Sequence, residues 1–419
     1  MQKNYLTELL GFQGFRVVKV EKMQVDGQSE VIMELKRKKV GYVCGGCHRI
    51  MRSAYDSSWQ QIQHLGLWQH RTFLRFKHYR VNCPSCGIKT EALDFVGIRG
   101  PRVTRMLSHM VTELCKVMTI KSVALLEGLS RDTVKAIDKL ALQKIQESRC
   151  MDGITTLGVD EISVGKGQNY MHLVSALEGP RGPEMLYIGK GRKEKDLKKF
   201  WKWFGKERAL NVTYAVMDMW KGFIKSFKAN CPKVEIIYDK FHIISHLLEA
   251  LNKVRKNVLQ TAEEELREEL TGKKFILLSR CAHVRGKARE ALSLLLGSSK
   301  RLFKAYMLKE SFGHLWEYKS KTCARRFFKN WVDSLKWSRL PSYKKFASMV
   351  EKHLDGILAC CDKKVSLGYI EASNLKARNI IRRAYGYRDR EYMNLKIIQG
   401  CTHWMIQFRP WEFTHTMSS

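Results

Sequence analysis

The chain has 419 residues, 75 Lys and Arg against 41 Asp and Glu, a formal net charge of +34, and 44% hydrophobic and 10% aromatic residues. A charge excess of that size recruits polyanions and argues against an ordinary metabolic enzyme, while the apolar content argues against a disordered chain and for a folded nucleic-acid-binding protein. The length allows two or three domains, and only 7 prolines argue against long polyproline linkers between them.

No apolar stretch reaches the roughly 18 to 20 residues that cross a bilayer, and Met1-Gln2-Lys3-Asn4 does not lead into a secretory leader, so the expectation is a cytosolic protein with no membrane partner. Of 12 cysteines, Cys115, Cys150, Cys231, Cys281, Cys323, Cys360, Cys361 and Cys401 are scattered and read as reduced thiols. The other four form two CxxC knuckles, Cys44 with Cys47 and Cys83 with Cys86. Gly45, Gly46 and Pro84 suit tight turns and Gly87 permits positive φ, so the four thiolates can close a tetrahedral structural Zn²⁺ site with no open position. The competing reading is two unrelated reduced pairs or a redox dithiol; His48 is a neighbour that could also ligate.

Between the knuckles, HRTFLRFKHYRV alternates so that Arg71, Phe73, Arg75, Lys77 and Tyr79 share one face of a strand. Arg71, Arg75 and Lys77 are candidate DNA contacts there, although a solvated strand with aromatic cross-strand pairs has the same composition. The cluster Leu35–Lys39 reads as a solvated edge. Helices are expected over Val103–Met118 and Ile120–Glu127, and after Gly128-Leu129-Ser130 a third begins at Arg131 with Ser130 as N-cap. This helix-turn-helix grammar would bring Arg131, Asp132, Thr133 and Lys135 to a major groove; the alternative is a helical spacer.

From Gly153 the pattern turns to strands, and Asp160 and Asp218 each end a buried one. Three successive strands, a helix and two more strands match the order expected of an RNase H-like fold, in which carboxylates at strand ends converge on divalent ions. Glu161 would point to the opposite face of its strand and takes no metal role. A third acid is expected from a helix across the strands. Glu371 begins such a helix, and Glu371, Asn374 and Arg378 fall at i, i+3 and i+7 with Arg382 farther along; Asp355 and Asp362 are rivals for the role.

Taken in order, the CxxC pairs with YDSSWQQIQHL between them, VDEIS at Asp160, GKGR at Gly189–Arg192, MDMWKGF at Asp218, YDKFHII at Asp239 and EASNLKARNIIRRAYGY from Glu371 resemble a family: the bacterial insertion-sequence transposases of the ISL-three type, which carry a DDE catalytic triad. Ala372 departs from the pattern, where Gly is expected. The resemblance implies that Asp160, Asp218 and Glu371 are the triad and hold Mg²⁺ or Mn²⁺, that Asp239 and His242 form an Asp-x-x-His element, and that Asn374 supports the site. Two ions about 4 Å apart would clamp the attacking and leaving oxygens of a phosphodiester. The implied fold class is multidomain α/β plus α: a zinc-ribbon-like module over 1–100, a helix-turn-helix region over 101–150, an RNase H-like core over 151–245 and 361–419, and an all-helical insertion over 246–360.

The implied function is binding of the element's terminal inverted repeats, hydrolytic cleavage at the ends, and joining of the freed 3′-hydroxyl to target DNA. Lys376, Arg378 and Arg382 would hold phosphates, the protein would act as a homodimer or higher oligomer on double-stranded DNA, and it would associate with the nucleoid. Trp316, Trp331 and Trp337 in the insertion could stack on a distorted base or belong to a core. Two other classes remain open at this level: a zinc-containing DNA-binding regulator without catalysis, and an RNase H-like nuclease that never joins strands.

Overall fold

The computed structural model describes residues 3–38, 41–97, 101–164, 169–264, 267–268, 271–384 and 386–410. They form two compact units, Met1–Arg149 with Asp389–Ser419, and Cys150–Arg388.

In the first unit, α1 (Lys3–Leu10) precedes β1 (Phe15–Val25), β2 (Gln28–Arg37), β3 (Tyr42–Val43), β4 (Ile50–Met51), β5 (Asp56–Leu67), β6 (His70–Cys83) and β7 (Gly87–Thr90). The main sheet runs β1-β2-β6-β5 with β7 also on β6; β2 and β6 are parallel and the other pairs antiparallel. The two-residue alternation of β6 divides its side chains as expected: Leu74 and Phe76 enter a core with Val17, Met33, Ile62 and Phe95, and Arg75 and Lys77 stay exposed. The expectation of a solvated edge at Leu35–Lys39 is corrected, because β2 lies between β1 and β6. Leu35 is buried, and Arg37 pairs with Glu91 and stacks on Phe15, Tyr42 and Tyr79; Lys39 lies outside the described residues.

Three helices follow: α2 (Arg105–Val117), α3 (Ile120–Glu127) and α4 (Arg131–Glu147). Thr104, Thr119 and Ser130 cap them, each side chain accepting from the N–H three residues on, and Gly128 ends α3 at φ 61°. No compact-unit boundary falls near residue 100, because backbone polar groups of the helical segment are satisfied by the sheet. Gln63 Nε2 and Arg71 Nη2 donate to the last carbonyls of α3, at Glu127 (2.6 Å) and Gly128 (3.1 Å), and Thr104 N donates to Gln63 O.

The C-terminal helix Arg390–Cys401 also packs on α4. Asp138 of α4 is fully buried, and Tyr392 Oη and Lys396 Nζ donate to its Oδ2 at 2.5 and 3.1 Å. A buried carboxylate requires such partners, and both lie beyond Asp389. The stretch 361–419, expected as one piece of the catalytic core, therefore divides: its first part stays in the second unit and residues from Asp389 join the first.

His64 is an acid-sensitive point of this unit. It is buried with Nδ1 2.9 Å from Thr104 Oγ1, and burial lowers its pKa to about 4. The unfolded chain, with a histidine pKa of about 6.5, binds more protons between the two values. The stabilisation is therefore complete above about pH 6.5 and is lost as pH falls toward 4, amounting to about 3 kcal/mol. Thermal midpoints at pH 7, 5.5 and 4.5 should fall more steeply for the wild type than for His64→Gln; equal slopes would exclude His64 as the cause.

In the second unit, β8 (Thr156–Ser163), β9 (Tyr170–Glu178), β10 (Glu184–Lys190), β11 (Tyr214–Met217) and β12 (Glu235–Tyr238) form one sheet in the order β10-β9-β8-β11-β12. The first three strands are antiparallel; β8, β11 and β12 are parallel. On one face, Leu157, Val159, Val174, Ala215 and Met217 pack with Phe200 and Phe204 of α5 (Lys198–Phe204) and, beyond the short α6 (Lys206–Leu210), with Phe223 and Phe227 of α7 (Lys221–Asn230). On the other face, Leu177, Val216 and Ile237 meet Ile370.

From α8 (Lys240–Thr261) to Cys361 the described regular structure is helical: α9 (Lys274–Leu278), α10 (Lys287–Ser298), α11 (Lys300–Phe312), α12 (Lys321–Asp333), α13 (Pro341–Lys352) and α14 (Leu354–Leu358), with short 3₁₀ turns. They share a core containing Leu251, Phe312, Trp331, Tyr343 and Phe346. Trp331 is thus a core residue, its indole N–H donating to Leu308 O; Trp316 is half-buried beside Lys240 Nζ, and Trp337 is 90% exposed. The chain returns to the sheet as α15 (Gly368–Arg383).

Candidate active site and metal centre

The four knuckle sulfurs lie within 4.8 Å of one another, the one such group of three or more ligand-type residues among the described residues; His48 is outside it. Gly87 takes φ 70°, the left-handed turn expected after the second knuckle. Cys83 is lowered to about 7, chiefly by the Ser85 backbone N–H, while Cys86 is pushed up to about 12, chiefly by its contact with Cys47. Converging thiols thus oppose one another's ionisation, and a divalent cation relieves that opposition. The donor set fits Zn²⁺, and the chain has a zinc-ribbon-like N-terminal region.

In the second unit the strand register brings the acids together. Met217 of β11 pairs with Val159 of β8 and with Tyr238 of β12. The next residue in each parallel strand direction is Asp160, Asp218 or Asp239, so three aspartates stand side by side, neighbours about 4.8 Å apart at the backbone. Each is anchored by a backbone N–H just beyond it: Glu161 N to Asp160 Oδ1 (2.7 Å), Met219 N to Asp218 Oδ1 (2.6 Å) and Phe241 N to Asp239 Oδ1 (2.8 Å). Asp239 is also the N-cap of α8.

His242 approaches Asp160 at its anchored oxygen, Nε2 lying 3.8 Å from Oδ1. Asn374 Nδ2 donates to Asp160 Oδ2 at 2.5 Å, and the His242 ring lies between the acids, Nδ1 3.8 Å from Asp218 Oδ2 and Nε2 4.0 Å from Asp239 Oδ2. His242 is 38% exposed, so it is not a satisfied core histidine. Burial raises the Asp160 carboxyl, with the Asp218 charge adding to it. Burial likewise raises Asp239, with Asp160 and Glu371 adding. Carboxylates that repel one another in a half-buried site suit a divalent cation. Asp160, Asp218 and Glu371 do not themselves form a group as tight as the four sulfurs.

Gly158 explains how α15 reaches Asp160. A Cβ there would lie 2.9 Å from Ile370 Cδ1 and 3.1 Å from Leu177 Cδ1, so the helix approaches β8 where a side chain is missing. From Gly158 to Asp160 the strand advances about 6.6 Å, and from Ile370 to Asn374 the helix advances roughly one turn, about 5.4 to 6 Å, so Asn374 meets Asp160. Glu371 lies in the first turn of α15, exposed beside this contact. Of the face expected from spacing, Asn374 is buried, whereas Lys376, Arg378 and Arg382 are exposed; Ala372 is exposed within the helix. Gly158→Val should displace Ile370 and lower stability by about 1–3 kcal/mol; an unchanged thermal midpoint would show that Ile370 simply turns aside.

The candidate DNA contacts of the first unit differ in how far their own fold engages them. Arg71 bonds Gln28 and Gly128, pairs with Glu30 and stacks on Phe73. Lys135 pairs with Asp389 at 3.1 Å, and Arg131 is exposed. Arg75 and Lys77 flank Trp59 at 5.1 and 5.7 Å from the ring centre. Trp59, 48% exposed and paired with Lys77 across β5 and β6, escaped the sequence reading; its alternation with Ser57 and Gln61 was the available signal.

No described helix is long and apolar enough to cross a membrane. Residues 42–86 match the zinc-finger of transposase IS204/IS1001/IS1096/IS1165. Over 405 residues the chain is 28% identical to the transposase for insertion sequence element IS1001 of Bordetella parapertussis, covering 95% of this chain and 98% of that one. It is 24% identical over 399 residues to the transposase for insertion sequence element IS1557 of Mycobacterium tuberculosis, covering 87% and 86%. The ISL3-type DDE transposase family matches residues 157–397, from β8 with its first aspartate to the C-terminal helix, and the chain belongs to that family of DNA-processing enzymes.

Proposed function

We propose that the protein binds the terminal inverted repeats of its insertion sequence, cleaves the ends by metal-dependent hydrolysis and joins the freed 3′-hydroxyl to target DNA. The observation that carries this reading is the side-by-side placement of Asp160, Asp218 and Asp239 in register, with Glu371 near enough to raise Asp239. The sheet supports an RNase H-like core over 151–245 and 361–388, interrupted by the helical insertion over 246–360. The capped α2–α4 segment supports a helix-turn-helix.

Asp160, Asp218 and Glu371 would hold Mg²⁺ or Mn²⁺, with Asp239 beside them. When bound, the ions supply Lewis-acid polarisation of the phosphodiester and of the attacking oxygen. The protein groups fix geometry: backbone N–H donors hold one oxygen of each aspartate, and Asn374 holds the second oxygen of Asp160. His242, between Asp160 and Asp218, orients the scissile strand at the mouth of the site. Lys376, Arg378 and Arg382 on α15, and Arg75, Lys77 and Arg131 in the first unit, hold phosphates and confer salt dependence, with Arg71 and Lys135 contributing where their internal pairs exchange for phosphate. In each step a P–O bond forms to water or to the 3′-hydroxyl as another breaks, and no protein ester is formed. Acting on two ends implies a homodimer or higher oligomer on DNA.

The test is incubation of the full chain and Mg²⁺ with a labelled duplex carrying the element's end and an unlabelled target. End cleavage followed by a joined product supports the reading. Cleavage without joining, under Mg²⁺ or Mn²⁺, would make it a nuclease; tight binding without cleavage would make it a regulator.

A further inference from the structure

We propose that Arg192 is a positioning residue that fixes the separation of Asp160 and Asp218 by holding Glu161, next to the first, and Trp220, two residues beyond the second. The inference rests on the catalytic reading above. It arises from the turn Gly189–Arg192 at the end of β10, which the site described so far does not use.

The turn is tied down before Arg192 is reached. Gly191 N donates to Tyr170 O at 2.8 Å, and His172 Nδ1 donates to Gly191 O at 2.9 Å, so both backbone groups are held by β9. Gly191 has φ +83°, and a Cβ there would run into the Asp196 carboxylate, which accepts from Lys193 N at 2.8 Å. A turn held at these points aims the next side chain in one direction.

That side chain meets both aspartate-bearing segments. Arg192 Nη1 donates to Glu161 Oε1 at 2.8 Å, and Glu161 follows Asp160 on the opposite side of β8. The guanidinium carbon lies 4.2 Å from the centre of the Tyr170 ring and 4.3 Å from that of Trp220. Trp220 stands two residues after Asp218 as the N-cap of α7, and its indole N–H donates to the Arg192 carbonyl at 2.8 Å. Side chain and backbone of one residue thus link the end of β8 to the loop after β11. Glu161 Oε2 is buried without a hydrogen bond, so the Arg192 charge is what compensates that carboxylate. Asn374 holds Asp160 directly from the other side, and Arg192 acts through Glu161 and Trp220.

A residue that only stabilises the fold would change the melting temperature; a positioning residue changes metal affinity and turnover. Calorimetric titration of Mn²⁺ into the zinc-loaded full chain, without DNA, reads the first quantity, with Asp160→Asn identifying the heat that belongs to this site. Arg192→Ala should weaken Mn²⁺ binding and slow single-turnover end cleavage by about 10- to 100-fold each, with unchanged DNA affinity and circular dichroism. Arg192→Lys should restore part of both, because an ammonium can still face Glu161 and the rings.

If Arg192→Ala fails to fold, Trp220→Phe, which removes only the indole hydrogen bond and part of the ring, should show the same two losses in smaller degree. Unchanged Mn²⁺ affinity and rate in the folded variants would overturn the inference. So would weaker DNA binding with a normal rate at saturating DNA, which would make Arg192 a DNA contact. If the wild type binds Mn²⁺ at Asp160 yet cleaves nothing, the catalytic reading has failed, and the Mn²⁺ titration still decides the role of Arg192.

Discussion

Asp160→Asn, Asp218→Asn and Glu371→Gln should each reduce end cleavage and strand transfer by about a thousandfold or more, a loss of about 4 kcal/mol of transition-state stabilisation, while duplex binding persists. The amide keeps the shape of each side chain and removes the charge that the proposed mechanism assigns to ion binding. At Asp160 and Asp218 it also keeps the carbonyl oxygen that accepts from Glu161 N and Met219 N. Asp239→Asn separates charge from structure most cleanly. Asparagine caps helices as well as aspartate does, so α8 should start normally and any loss reports the missing carboxylate. A loss of about 10- to 100-fold is expected there, the range of a group that supports ligands rather than being the principal one. If Glu371→Gln cleaves normally while Asp239→Asn does not, the third carboxylate is the one in the strand register. Labelled-end cleavage and electrophoretic binding on the same preparations give both quantities.

Removing zinc should have the largest effect on structure. Zinc binding in isolated zinc fingers is worth on the order of 10 kcal/mol or more, and here the metal site has little else beneath it: Cys44, Val81 and Cys83 form a small cluster apart from the core of the main sheet. Cys44→Ser, or chelation after thiol modification, should therefore release one Zn²⁺ per chain and expose residues 42–51 and 83–91 to rapid hydrogen exchange. Leu74, Phe76 and Met33 lie in the separate core, so β2 and the central part of β6 should stay protected. DNA affinity should fall, whereas Cys150→Ser, at an exposed thiol outside the group, should leave zinc content and binding unchanged. Full zinc retention by Cys44→Ser would sink the four-thiolate site, and loss of protection throughout the sheet would show that the two cores fold as one.

Elements whose signals are local were legible in the chain before any folding partner is known. Two CxxC pairs in turn-forming surroundings specify a metal knuckle because four sulfurs are held by short loops, and Ser130 before Arg131 starts a helix because capping involves neighbouring residues. Period-two alternation separated Leu74 and Phe76 from Arg75 and Lys77, and apolar runs ending in Asp160 and Asp218 marked strands whose ends carry acids. Relations between residues far apart in the chain were set by packing and strand pairing. Strand register put Asp239 level with Asp160 and Asp218, and register depends on pairing partners that a single segment does not name. The close approach allowed by Gly158 brought Asn374 to Asp160 across more than two hundred residues. The buried carboxylate of Asp138 drew Tyr392 and Lys396 into the first unit, because a desolvated charge must find its partners wherever the fold supplies them.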